Sequence, residues 1–230
     1  MKKNPFVEGA VLIIDKPLNW TSFDIVKKIR SEIIQHFKIK KIKVGHAGTL
    51  DPLATGVFVV CTGKKTKTLN DYLIDSKTYQ GEIKLGATTP SYDLETPINK
   101  RYELPKLTSE VLNELKSKFI GEQKQIPPMF SAKRVNGKRA YEFARKNEHI
   151  DLKPSIINIY NLEFKIIKKD TLEFNCHCSK GTYIRSLARD IGISLKSGGH
   201  LTSLKRIKSG NFTIDMAKSI EEWIDIIKTS

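Results

Sequence analysis

Short apolar runs that end in glycine or proline alternate with segments in which apolar residues recur every three or four positions. The run at residues 10–15 (AVLIID) ends at Lys16-Pro17, which is typical of a strand stopped by a turn. Thr21 or Ser22 then offers an N-cap for a helix. The apolar positions of that helix are Val26, Ile29, Ile33 and Phe37. The pattern therefore predicts a strand followed by an amphipathic helix.

The next third of the chain is richer in glycine and proline. Residues 44–56 (VGHAGTLDPLATG) contain three glycines and one proline, so we predict a loop over the whole segment. The run at 57–61 is β-branched and aromatic and predicts a buried strand. Residues 78–85 alternate as in a half-exposed strand, and residues 87–105 carry three prolines and are interpreted as a long connection.

The remaining segments show either the helical spacing of apolar residues, every three or four positions, or the pattern of strands. Helices are predicted over 107–119, 138–146 (short and basic), 182–195 and 220–227, and a proline-containing loop over 125–130. Strands are predicted over 156–167 and 171–178, as a pair around Lys168-Lys169-Asp170, and over 201–207 as the last strand. Since no strict strand–helix–strand rhythm appears, the order favours an α+β fold with a mixed or antiparallel sheet. No linker-like stretch divides the chain, so we expect one catalytic domain.

The net charge of the chain indicates the kind of partner that it binds. The chain has 230 residues with 40 Lys+Arg and 25 Asp+Glu, a formal net charge of +15. Such an excess favours a phosphate-rich partner, although a merely lysine-rich surface is the alternative. Three cysteines cannot form a disulfide framework, and the N-terminal apolar run is too short for a signal peptide or a membrane span. A cytoplasmic location is the expectation, with no membrane partner.

Two motifs resemble cofactor-binding sites but lack residues that such sites require. Gly56 and Gly63-Lys64 are separated by six residues, where a phosphate-binding P-loop has four, and Lys65 stands where Ser or Thr should follow. In Cys176-His177-Cys178 the two cysteines share one face of a strand while the histidine points away. No second cysteine pair closes a tetrahedral site. We therefore predict chemistry without a nucleotide cofactor, a metal or a flavin.

The segment around Asp51 is the strongest candidate for chemistry. An isolated Asp-Pro is usually only a turn. Here glycines at 45, 48 and 56 permit close approach of a ligand, Pro52 stiffens the following position, and a buried strand comes next. A carboxylate on a stiff loop beside a rigid scaffold is a common way to present a functional group.

At these residues the sequence resembles a known family. GHAGTLDPLATG is similar to the GHxGxLDPxAxG loop of TruB-type tRNA pseudouridine synthases, with Ala47 where threonine is frequent. Four further blocks follow the family order: the opening strand with its DKP, DSKTYQGEIKLG, QIPPMFSAKRVNGKRAYEFAR, in which Arg134 falls one place early, and CHCSKGTYIRSLARDIG. Together they span residues 10 to about 210.

The resemblance implies a fold and an activity. The fold is the pseudouridine synthase fold, an α+β arrangement with a mixed, mainly antiparallel sheet flanked by helices and an active-site cleft across it. The activity is isomerisation of uridine-55 in the T loop of tRNA to pseudouridine, without a cofactor. The expected domain is residues 1–230, a single catalytic domain, because the chain ends too soon after the last block for the family's C-terminal PUA domain.

The resemblance also assigns roles to residues. Asp51 matches the nucleophile, Arg185 the arginine that pairs with it, and Tyr79 the tyrosine that stacks on the target base. The substrate-binding set comprises His46, Tyr183, Leu204, Lys67 and Asp93. The route of the reaction, covalent or glycal-like, stays open at this point.

The implied partner is the T stem-loop of tRNA, bound by a monomer. Candidate phosphate contacts are the basic clusters Lys64-Lys65-Lys67, Lys133-Arg134, Lys138-Arg139 and Lys205-Arg206. Two alternatives remain: a tRNA-binding protein that keeps the scaffold without the chemistry, and an enzyme of the same chemistry directed to RNA selected by a guide. The retained Asp51 and Arg185 argue against the first, and the missing PUA domain argues against the second.

Overall fold

The computed structural model describes residues 4–135, 137–146, 148 and 150–230. The α-helices of this part of the chain are α1 Pro5–Glu8, α2 Ser22–Phe37, α3 Leu69–Leu73, α4 Ser109–Phe119, α5 Ala140–Ala144, α6 Ile184–Ser194 and α7 Ile220–Lys228. Short 3₁₀ helices cover Gly63–Thr68 and Ile214–Met216. The strands are β1 Val11–Lys16, β2 Val44–His46, β3 Ala54–Thr62, β4 Lys77–Leu85, β5 Ala87–Thr88, β6 Lys100–Arg101, β7 Gly121–Gln125, β8 Arg134–Val135, β9 Lys138–Arg139, β10 Ser155–Lys168, β11 Thr171–Cys178, β12 Gly199–Ser209 and β13 Phe212–Thr213.

The chain forms two compact units. Unit 1 consists of Met1–Tyr79 with Leu204–Ser230, and unit 2 of Gln80–Ser203, so that β4 and β12 each contribute to both. The prediction of one catalytic domain over residues 1–230, without a PUA domain, stays a prediction.

In unit 1, β3 is the central strand. It pairs antiparallel with β1 from Val11↔Cys61 to Lys16↔Gly56, and with β2 from Val44↔Thr62 to His46↔Val60. The first residues of β3 run parallel to β12, in the register Leu204↔Ala54. Thr21, one of the two N-caps that the sequence offers, caps α2 and forms a capping box. Val26, Ile29 and Ile33 of the predicted apolar stripe are buried, and Phe37 is half-buried. A small core of Ile13, Ala47, Val57 and Val59 lies between these elements.

In unit 2 the strand order is β4-β11-β10-β7. Strand β10 pairs antiparallel with β11, with Leu162 opposite Cys176, and antiparallel with β7. Cys176 and Cys178 are buried on one face of β11, as the sequence predicts. Gly192 of α6 lies so close to the following turn that a Cβ there would approach the Gly199 nitrogen to 2.2 Å. The predominance of antiparallel pairs within a mixed arrangement confirms the α+β class.

Several predicted boundaries are wrong. The segment 44–56 is a loop only at its centre, because Val44–His46 and the residues from Ala54 onward pair as β2 and β3. Residues 138–146 begin with β9 and become helical only at Ala140. Helix α6 begins at Ile184, because its N-cap Tyr183 has an extended backbone, with φ −93° and ψ 107°. The connection 87–105 includes the short pair β5–β6, and β13, not β12, is the last strand.

Candidate active site

Asp51 lies on the loop formed by residues 47–53, which we call the Asp51 loop. The loop joins β2 to β3, and the Asp51 side chain is half-buried. The Ala54 amide donates to the Asp51 carbonyl at 3.0 Å and closes the turn at the start of β3. At the other end, the Ala47 amide donates to the Val59 carbonyl at 2.9 Å. The main chain on both sides of the aspartate is therefore fixed to the central strand of unit 1.

A hydroxyl from α2 fixes the residue before Asp51. The Ser22 hydroxyl accepts a hydrogen bond from the Leu50 amide and donates one to the Leu50 carbonyl, both at 3.0 Å. Ser22 is the first residue of α2, directly after its N-cap Thr21. The capping box that starts the helix thus also sets the position of the hydroxyl that holds Leu50.

A buried lysine fixes the residue after Asp51. Lys16 ends β1, and its ammonium donates to the carbonyls of Pro17 at 2.9 Å, Trp20 at 2.6 Å and Pro52 at 3.2 Å. The Asn19 amide also donates to the Pro52 carbonyl, at 2.9 Å. The turn after β1 and the Asp51 loop are thereby tied together.

Arg206 supports the loop from the interior of unit 1. Its Nε donates to the Val57 carbonyl at 2.7 Å and its Nη2 to the Gly48 carbonyl at 3.1 Å. Only 1% of Arg206 is exposed. The prediction that Arg206 contacts phosphate is therefore wrong, because the guanidinium is turned inward, whereas its neighbour Lys205 is exposed.

Two glycines make this arrangement sterically possible. Gly48 and Gly56 have φ values of 93° and 99°, which disfavour any side chain. A Cβ on Gly56 would lie 2.2 Å from the Arg206 carbonyl oxygen. Glycine at 56 thus allows β3 and β12 to approach at the end of the Asp51 loop.

The electrostatic environment of the loop is cationic. Burial lowers the pKa of Lys16 to about 8; the Asp51 carboxylate opposes this shift and the Arg206 guanidinium adds to it. Burial, with a smaller contribution from Arg206, also lowers the pKa of His46. Within the described residues the His46 Nδ1 has no hydrogen-bond partner, and its ring lies 5.0 Å from that of Phe58. Burial thus disfavours the protonated form of the His46 imidazole, which lies just before the loop.

The other predicted residues of unit 1 lie on its strands and on a 3₁₀ helix. Tyr79, on β4, is only 9% exposed. Leu204, on β12, is paired with Ala54, three residues after the aspartate. Lys67 is exposed on the 3₁₀ helix, outside the network that fixes the loop. Sequence reasoning missed Lys77, whose ammonium donates to the carbonyls of Tyr72, Leu73 and Asp75 at the end of α3.

In unit 2 the structure brings Arg185 and Asp93 together. Arg185 is the second residue of α6; its Nε lies 3.6 Å from Asp93 Oδ2, and its Nη1 donates to the Ser91 carbonyl at 3.2 Å. The side chains are 4% and 7% exposed. Hydrogen bonds between Ser91 and Thr96 fix the turn that carries both acceptors. The buried guanidinium of Arg185 is thus held at its own donors by the Asp93 carboxylate and the Ser91 carbonyl.

The residue before α6 is also fixed. Gln125, at the end of β7, accepts from the Tyr183 amide at 2.8 Å and donates to the Tyr183 carbonyl at 3.1 Å. This pair of bonds positions the N-terminus of α6, and with it Arg185. No sequence pattern identified Gln125, because its partners are main-chain groups 58 residues away.

The chain matches the model of the TruB family pseudouridylate synthase (N terminal domain) over residues 35–184, which includes the Asp51 loop and ends one residue before Arg185. It is 49% identical over 97% of its length to a protein of Parabacteroides distasonis named tRNA pseudouridine synthase B, covering 95% of that protein. The protein of the same name from Phocaeicola vulgatus is 50% identical, over 96% of this chain and 95% of that protein. The chain belongs to the TruB family of pseudouridylate synthases. The resemblance noted in the sequence is thereby confirmed.

Solved structures agree with this TruB-family membership at the level of the fold. A chain in a crystal structure of a Cbf5-Nop10-Gar1 complex superposes with a TM-score of 0.70 at 25% identity, over 96% of this chain. The TruB-family chain spans about half, 54%, of the length of that chain. Within the described residues, no three potential metal-binding side chains of His, Cys, Asp or Glu are grouped together. The helices of the same residues include none long and apolar enough to cross a membrane.

Proposed function

We propose that this TruB-family protein isomerises uridine-55 in the T loop of tRNA to pseudouridine, with Asp51 as the nucleophile. The observation that carries the proposal is the similarity, over nearly the whole length of both chains, to proteins named tRNA pseudouridine synthase B. The geometry of the Asp51 loop supports the choice of residue, since the loop holds one carboxylate on a main chain fixed at both ends.

The reaction requires no external reagent. The N1–C1′ bond of the uridine breaks, the base turns, and C5 bonds to C1′; the proton leaving C5 is balanced by the proton gained at N1. An anionic nucleophile that carries the ribose or the base between these steps lowers the barrier of each. Asp51 is that nucleophile in the proposal, and the adjacent Lys16 and Arg206 keep its surroundings cationic.

Arg185 and Tyr79 complete the catalytic set. Arg185 is the catalytic arginine, and Asp93 and the Ser91 carbonyl fix the direction of its guanidinium. Tyr79 provides the aromatic surface for the target base. A planar guanidinium suits this role because it presents several donors in a fixed geometry.

His46, Tyr183 and Leu204 bind the flipped nucleotide or its neighbours, and Lys67 and Asp93 lie at the edge of the bound substrate. Extracting the base from the T loop costs a few kcal/mol, less than from a duplex. Phosphate contacts made by the exposed lysines offset that cost. We therefore expect log Kd for the T stem-loop to rise linearly with log[salt], with a slope that falls by about 0.7 for each phosphate contact removed. Lys67→Ala is the variant that tests this.

The protein acts as a monomer in the cytoplasm in this proposal, on free tRNA and without a guide RNA. The relatives named tRNA pseudouridine synthase B are matched over 95% of their own length. The chain of the Cbf5-Nop10-Gar1 complex is matched over 54%. This difference in coverage favours the tRNA enzyme over an enzyme that needs partner proteins.

The test is conversion of a T stem-loop transcript labelled with tritium at C5 of uridine. Bond formation at C5 releases the label, so tritium in the solvent reports the isomerisation directly. We expect release from the wild-type transcript and none from a transcript with cytidine in place of uridine-55. Tight binding without release would favour a binding protein, and release only after addition of guide RNA would favour the guide-dependent enzyme.

A further inference from the structure

Arg206 is a charged side chain that the protein buries almost completely, with 1% of its surface exposed. A buried guanidinium is destabilising unless its donors are satisfied. Among the described residues no carboxylate forms an ion pair with Arg206, and main-chain carbonyls accept its hydrogen bonds. The choice of a cation at this position therefore needs a reason other than charge pairing.

The two carbonyls that it binds stand on either side of Asp51. Nη2 donates to Gly48, three residues before the aspartate, and Nε donates to Val57, six residues after it. One planar group thus bridges the start of the Asp51 loop, at Gly48, and strand β3, at Val57, from the inside of unit 1. Lysine cannot reproduce this bridge, because all its donors are on one nitrogen, whereas Nε and Nη2 of arginine are separate atoms held in one rigid plane.

Two glycines, one in the Asp51 loop and one in β3, fit this bridge. Gly56 is directly opposite Arg206 in the parallel register of β3 and β12, and a Cβ there would collide with the Arg206 main chain. A Cβ on Gly48 would lie 3.5 Å from Nη1 of the same arginine. Both glycines that flank Asp51 at positive φ therefore face Arg206, one its main chain and the other its guanidinium.

We propose that Arg206 is a positioning residue for the reaction: by bridging Gly48 and Val57 it fixes the Asp51 loop, and with it the direction of the Asp51 carboxylate. The inference rests on the proposed function, in which Asp51 is the reacting group. Arg206 itself contacts neither substrate nor reacting atoms in this role.

The variant Arg206→Met removes the donors and the charge while keeping a long side chain in the cavity. We expect the single-turnover rate of tritium release to fall about 100-fold, as for a displacement of a reacting group by about 1 Å. The Kd for the T stem-loop should stay close to that of the wild type. Arg206→Lys should lie nearer to Arg206→Met than to the wild type, and it carries the test if the methionine variant does not fold.

Arg30 provides a matched control. It also donates from Nη2 to a main-chain carbonyl in unit 1, that of Val44 at 3.1 Å, which lies outside the Asp51 loop. Arg30→Met should lower the melting temperature and keep the wild-type rate. In hydrogen exchange, peptides that cover residues 47–53 should exchange faster in Arg206→Met than in Arg30→Met, because the Ala47 and Leu50 amides are bonded in this loop.

Three results would overturn the inference: a wild-type rate in Arg206→Met or Arg206→Lys, an equal loss of rate in Arg30→Met, or unchanged exchange of residues 47–53 in Arg206→Met. If the wild-type protein released no tritium, the proposed function would fail instead. The exchange experiment would still show whether Arg206 fixes the loop.

Discussion

In unit 1 the side chains of Ser22, Lys16 and Arg206 hold the main chain around Asp51, whereas in unit 2 Ser91 and Asp93 hold the Arg185 side chain itself. The difference follows from the chemistry of the two groups. A short aspartate has few rotamers, so fixing the loop restricts the positions that its carboxylate can take. A long arginine has many rotamers, so its guanidinium must be restrained at its own donors.

Substitutions in the two units should therefore affect the protein in different ways. Changes near Arg185 should act directly on the chemistry, whereas changes beneath the Asp51 loop should act through stability and loop position together.

The largest loss of reaction rate is expected from Arg185→Lys, which tests the unit 2 side of this comparison. Lysine keeps the charge but cannot contact the Ser91 carbonyl and Asp93 with a planar fork. We expect the single-turnover rate to fall by about 10²–10³-fold, the range for removal of one preorganised donor, with tRNA binding kept. The rate of tritium release and the Kd measure the two quantities. Arg101→Lys, at an exposed position on β6, is the control that should change neither.

A smaller effect is expected from Ser22→Ala beneath the Asp51 loop. The change leaves the buried amide and carbonyl of Leu50 without the hydroxyl that satisfies both. We expect the free energy of unfolding in urea to fall by about 1–3 kcal/mol, together with a lower rate. Ser31→Ala, on the same helix, is the control. If Ser22→Ala lost rate without losing stability, the proposed coupling of loop and scaffold would be wrong.

A third effect concerns the pH dependence of stability. The pKa of Lys16 is about 8 in the folded protein and 10.5 for an ordinary lysine. Between these values the unfolded chain binds a proton that the folded protein does not, so this residue makes the free energy of unfolding rise with pH. Relative to Lys16→Met, the wild type should gain stability from pH 8 to 10.5. Parallel curves for the two proteins over that window would contradict the buried cation beneath the loop.

The elements that the sequence predicted well are those with local signals. Helix α2 shows its cap and its periodicity within one segment, and β10 and β11 alternate on either side of a short turn. The segment 44–56 was wrong at both ends because its glycines suggested a loop, while its pairing partners lie elsewhere in the chain. Gly56 pairs with Arg206, 150 residues later, and no local sequence pattern predicts that contact.

The candidate site divides in the same way. Motif resemblance pointed to Asp51, Arg185 and Asp93, and the structure brings the last two together. The roles of Ser22, Lys16 and Arg206 in holding the loop were missed because these side chains bind main-chain atoms, which have no sequence signature. Lys16 had one usable signal, since it continues the alternation of the buried Leu12 and Ile14 and so points inward.

The most direct test of the account replaces Asp51 with asparagine, which keeps the size and removes the charge. The Asp51→Asn protein should bind the T stem-loop with nearly the wild-type Kd and release no tritium from it in a single turnover. Substantial release by this variant, at a rate comparable to the wild type, would contradict the assignment of Asp51 as the nucleophile.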